Sequence, residues 1–284
     1  MSEFQYYEFL AIDRALDEQQ LAEVRALSTR ARITAARFTN EYEWGDFRGD
    51  PRKMMELYYD AHLYFANWGT RQLMLRLPRA LLSLETAEQY CIDPDVAAWA
   101  SGEHLILAMT SEEDEPEWDE NSEESLSAII GIRAELAAGD LRPLYLAWLA
   151  AYGTWERDED AFDDDEESEL EPPVPAGLGT LTAPQRALAD FLRLDDDLLT
   201  IAAQASPPLT EISDDAGELA SWIANLPADD KDALLTRVAQ GQGAQVHLEL
   251  RRRFHGDPDP AADGRPRRTV AALLDTAAEA RQAR

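Results

Sequence analysis

Between Trp44 and Trp68 the chain crowds Asp46, Arg48, Asp50, Asp60 and His62 into one short stretch. A carboxylate and an imidazole side by side are the ingredients of general acid–base chemistry. Asp60 or Asp46 would act as the base and His62 as its partner, in a pocket at the end of a sheet. Glu103 and His104 begin a later strand and could join them in space. A plainer reading uses the same residues structurally. Asp46 and Asp50 then shape turns, Asp60 closes a helix–strand junction, and His62 pairs across a hairpin.

Other chemistries find no footing in the sequence. No Gly-rich phosphate loop precedes a Lys-Ser/Thr pair, and Gly241 and Gly243 follow a helical pattern without a third glycine. Neither a Gly-x-Ser-x-Gly elbow nor a His-Glu-x-x-His pair occurs. His62, His104, His247 and His255 are scattered. Cys91 stands alone, which excludes an internal disulfide and a Cys-based zinc site. It follows Tyr90 at a helix end and reads as a packed thiol. A calcium loop starting at Asp158 fails because Asp163 stands where the turn needs glycine. No metal and no cofactor is expected.

Charge is the strongest signal. The 284 residues carry a formal charge of −30. Residues 111–124 hold nine acids and no base, and residues 156–171 hold eleven acids and one base, Arg157. Residues 251–284 reverse the sign, with eight arginines against five acids. Direct nucleic-acid binding needs a basic footprint, so this layout disfavours it and favours basic protein partners. The longest apolar run, residues 144–152, falls short of the ~20 residues of a membrane span. The start of the sequence lacks a signal-peptide pattern, and a cytoplasmic setting fits. Lysine supplies only Lys53 and Lys231, and alanine is abundant, as in GC-rich bacterial genomes.

The elements that must position these residues follow from periodicity. Residues 4–12 and 32–44 read as strands, residues 17–27 as a helix, and Asp50-Pro51 as a capped helix start. Residues 62–68 and 72–77 alternate around Asn67-Trp68-Gly69-Thr70, which is a hairpin pattern. Residues 80–90 read as a helix, 102–110 as a strand, and 125–138 and 141–155 as paired helices with Gly139 as the stop. The fold class is α+β. An N-terminal mixed sheet with flanking helices, all on one side, occupies residues 1–155. Residues 156–175 read as an acidic, Pro-rich linker, and 176–255 as an all-α bundle. Residues 256–284 read as a second flexible linker ending in an amphipathic helix.

That terminal helix is a candidate for partner binding. Val270, Leu273, Leu274 and Ala277 share one face, and Arg267 and Arg268 precede them. Such a face docks in a partner's groove or folds back on its own bundle.

Four segments carry a resemblance: 4–14, 40–51 (Asn-Glu-Tyr-Glu-Trp-Gly-Asp-Phe-Arg-Gly-Asp-Pro), 66–70 and 266–270. Together they resemble a group of uncharacterised bacterial proteins over most of the chain. Some of that group continue past the equivalent of Thr269 in a longer charged helix. The resemblance implies a bacterial, co-linear protein and carries no activity with it.

The function expected from these readings is a non-enzymatic interaction scaffold for a protein partner, one that is basic or handles nucleic acid. Two alternatives stand beside it: an enzyme with a carboxylate–histidine site near Asp60 and His62, and a nucleic-acid mimic whose carboxylates imitate phosphates.

Overall fold

The computed structural model describes residues 4–113, 126–152, 169–209, 216–240, 243–255 and 267–283. Residues 114–124 of the first acidic run and 156–168 of the second, the loop beginning at Asp158, and residues 256–266 of the expected second linker lie outside them. The N-terminal elements are β1 (Gln5–Leu10), α1 (Glu18–Leu27), β2 (Arg32–Ile33), β3 (Arg37–Tyr42), α2 (Pro51–Leu57), β4 (Ala61–Ala66), β5 (Arg71–Pro78), α3 (Leu84–Glu88), β6 (Val96–Ser101) and β7 (His104–Ser111). The strands form one sheet in the order β2-β3-β1-β4-β5-β7-β6. Every pairing is antiparallel, where a mixed sheet was expected.

Local chemistry sets the boundaries. Asp17 accepts from the Gln20 backbone N–H, and the Gln20 side chain accepts from that of Asp17, a reciprocal cap for α1. Asp50 caps α2 through the Arg52 and Lys53 N–H groups, with Pro51 at the first helical position. Gly69 turns the β4–β5 hairpin at φ +106, and a Cβ there would strike the Glu113 carbonyl oxygen at 1.9 Å.

The helices that follow are α4 (Leu126–Ile129), α5 (Gly131–Ala137), α6 (Arg142–Ala151), α7 (Ala183–Phe191), α8 (Asp196–Ala205), α9 (Ala216–Asn225), α10 (Ala228–Ala239), α11 (Gly243–His255) and α12 (Val270–Gln282). Both faces of the sheet are covered, not one. Strand alternation sends Tyr7, Phe9, Phe38, Tyr42, Met74 and Ile106 to one face, where Val24 of α1 and Met54 and Met55 of α2 close over them. Leu63, Leu73, Leu75, Leu105 and Leu107 face the other way and share a core with Leu144 of α6, Leu188 of α7, Leu198 of α8 and Leu273 of α12.

That second core changes the expected domain plan. Residues 183–205 and 270–282 contribute to the sheet's own core, so these helices are not a bundle apart from it. Within residues 156–175, Glu171 is 1% exposed, and Leu170 bridges to Thr269. Helices α9–α11 pack differently. Leu234 and Val246 are buried among them, Trp222 meets Phe254 edge-on at 5.7 Å, and these residues belong to neither core of the sheet.

Candidate functional site

Asp60 lies where α2 gives way to β4, as expected, and its carboxylate is committed to the fold. Oδ2 accepts from the backbone N–H of Ile12 at 2.6 Å and of Asp13 at 2.9 Å. Oδ1 accepts from Arg76 Nε at 3.0 Å and Nη2 at 2.8 Å. Arg76 also donates to the carbonyls of Met55 and Glu56. Arg133 donates to the Arg76 carbonyl at 2.8 Å and grips both oxygens of Asp13. The result is a relay of opposite charges across the sheet end, tying the β1 exit, β5 and α5 together.

The histidine beside this relay is His104, not His62. Burial and the Arg76 guanidinium lower the His104 pKa, and Asp60 and Asp13 oppose the shift. His62 points into the aromatic core with 0% exposure. Its Nδ1 donates to the Glu8 carbonyl at 2.9 Å, since a carbonyl only accepts. Its ring stacks on Phe9 at 3.9 Å between centroids. Burial pushes its pKa down to about 4, partly opposed by the Glu8 bond. Among the described residues Nε2 has no hydrogen-bonding partner. At neutral pH His62 is therefore an uncharged ring sealed from solvent, and a substrate cannot exchange a proton with it. The expected Asp60–His62 pair is replaced by two separate structural roles.

Asp46 sits elsewhere, on the rim of a cleft of about 350 Å³. The turn after α1 supplies Ser28, Thr29 and Arg30, and the loop after β3 supplies Trp44, Asp46 and Arg48, with Tyr42 beneath. Gln5 fixes the carboxylate from below: its Nε2 donates to Asp46 Oδ1 at 3.1 Å and to the Gly45 carbonyl at 3.4 Å. Its Oε1 accepts from Tyr7 at 2.8 Å and Tyr64 at 3.3 Å. Burial pushes the Tyr7 pKa up to about 12, so this hydroxyl stays a donor. Ser28 Oγ accepts from Asn40 at 3.0 Å, pinning the opposite wall. Trp44 is 72% exposed.

The terminal-helix residues are also placed differently from the docking expectation. Val270, Leu273, Leu274 and Ala277 are 0–4% exposed because α12 lies on α8 inside the chain's own core. Arg268 is bound to Glu171 through Nε at 2.5 Å and Nη2 at 2.9 Å. Arg267 is exposed and contacts the Glu171 carbonyl at 3.5 Å. A free apolar face is thus a core face here.

Cys91 is half-buried, and burial, then Glu88, raises its thiol pKa, partly offset by the Ala98 N–H. It reads as an inert thiol against the β6 edge. Among the described residues, no group of three or more His, Cys, Asp or Glu side chains could hold a metal ion. No described helix is long and apolar enough to cross a membrane. No family model, curated protein or solved structure gives a significant match to this chain.

The sequence reading missed Arg76 as the partner of Asp60. Its signal was present: Arg76 shares strand parity with His62 and Met74, on an inward face where an arginine needs a carboxylate. Asp13 and Arg133, 120 residues apart, gave no such signal.

Proposed function

We propose that this chain is an acidic, non-catalytic interaction protein that binds a basic protein partner. The observation that supports this is the division of charge between interior and surface. The buried carboxylates of Glu8, Asp60, Glu171 and Glu249 each have an arginine within 2.8 Å. The chain holds 56 acids to 26 bases, far more carboxylates than these pairs use. The net −30 falls wholly on residues 1–215, because residues 216–284 hold ten acids and ten bases. Such a field steers cationic surfaces in and repels nucleic acid. The enclosed, neutral His62 weighs against the carboxylate–histidine enzyme. A bacterial cytoplasm is the setting this reading assumes, consistent with a lone cysteine.

The test pairs the full chain with a panel of basic proteins of matched pI at physiological salt. One or a few members should bind with defined stoichiometry, and replacing the acids of residues 158–167 by their amides should weaken them by tenfold or more. Equal binding of every basic protein, or of none, overturns the proposal.

A further inference from the structure

The cleft beside Trp44 has features that partner binding through the acidic surface does not use. Its rim carries both signs of charge: Arg30 and Arg48 against Asp46. Among the described residues, neither guanidinium has a carboxylate partner, although the chain holds 56 acids to 26 bases. Asp46 is fixed through Oδ1 by Gln5. Ala26 and Leu27, the last turn of α1, also line the cleft. A helix C-terminus presents free carbonyls, which favour a cation or an N–H donor. The exposed indole of Trp44 completes the rim with an apolar plane.

We propose that this cleft binds a zwitterionic small molecule of the α-amino-acid class with an apolar or aromatic side chain. Arg30 and Arg48 would take the carboxylate. Asp46 and the α1 carbonyls would take the ammonium, and Trp44 would cover the side chain. The volume lies at the small end of ligand sites, which run from roughly 300 to 1,000 Å³. Charge decides between ligand classes. A nucleotide or free phosphate would use the arginines but meet Asp46, the helix C-terminus and the field of the whole acidic chain. A zwitterion has no net charge to be repelled and satisfies both poles.

Titration calorimetry on the full chain tests this with L-phenylalanine, 3-phenylpropionate, phenethylamine, inorganic phosphate and AMP. L-Phenylalanine should bind saturably at one site, and each analogue lacking one charged group should bind about tenfold more weakly or worse. Asp46→Asn and Arg48→Gln should each weaken L-phenylalanine by about tenfold with an unchanged melting temperature. Asp46→Asn should leave the weak binding of 3-phenylpropionate unaltered. The proposal is overturned if L-phenylalanine shows no saturable binding at millimolar concentration, or if phosphate or AMP binds better. Wild-type affinity in both variants also overturns it. None of these outcomes bears on the basic-partner reading.

Discussion

Arg268 grips both carboxylate oxygens of Glu171, and Tyr145 donates its hydroxyl to the same carboxylate. The backbones are joined as well, Glu171 N–H to the Arg268 carbonyl at 3.0 Å and Val270 N–H to the Glu169 carbonyl at 2.9 Å. This clasp fastens the start of α12 against the chain that leads into α7. Arg268→Met should cost about 3–5 kcal/mol, because it strands a buried carboxylate. Denaturant melts check the value. The double variant Glu171→Gln with Arg268→Met should recover part of the loss, since no unpaired charge then remains.

The docked face of α12 gives a sharper contrast. Leu273→Ala should destabilise by about 2–5 kcal/mol, as a buried leucine does. Leu235 on α10 is 66% exposed, and Leu235→Ala should change stability by no more than about 0.5 kcal/mol. Comparing the two by thermal denaturation separates a core helix from a tethered one.

Asp60 should behave as a positioning group for the fold. Asp60→Ala frees two backbone N–H groups and the Arg76 guanidinium, and should cost about 3–5 kcal/mol in urea unfolding. Asp60→Asn should cost less, because one amide oxygen still accepts. A catalytic Asp60 would instead lose activity with stability unchanged.

His62 supplies a pH test. Its folded pKa of about 4 lies below the ordinary histidine value of 6.5, so the unfolded chain binds the proton first as pH falls. The stabilisation is complete above pH 6.5 and is lost progressively down to about 4, amounting to about 3 kcal/mol for this one group. Proton-detected NMR of the imidazoles should show His62 still neutral at pH 5. A His62 that titrates near 6.5 would instead place it at the surface.

Much of this fold was legible because local chemistry and burial agree. Asp17, Asp50 and Thr269 cap helices where the sequence offers capping side chains. Strand β6 escaped notice because Val96-Ala97-Ala98-Trp99-Ala100-Ser101 is alanine-rich and carries little β-propensity. It is a strand because β7 pairs with it, and it is blunted at the sheet edge where Ile92 takes both outward hydrogen bonds of Val96. The destination of α7, α8 and α12 was illegible for a similar reason: nothing local in them says which core will receive its apolar stripe. Within the site, neighbours in sequence misled. Asp60 and His62 are two residues apart yet serve different networks, whereas Asp60 and Arg76 meet across the β4–β5 hairpin.

The most direct measurement of the central claim is the salt dependence of affinity for a basic partner found in the matched panel. Affinity measured from low to high ionic strength should fall steeply, mainly through a slower association rate, as expected for steering by an unbalanced negative surface. An affinity indifferent to salt, or a partner that is itself acidic, would contradict the account.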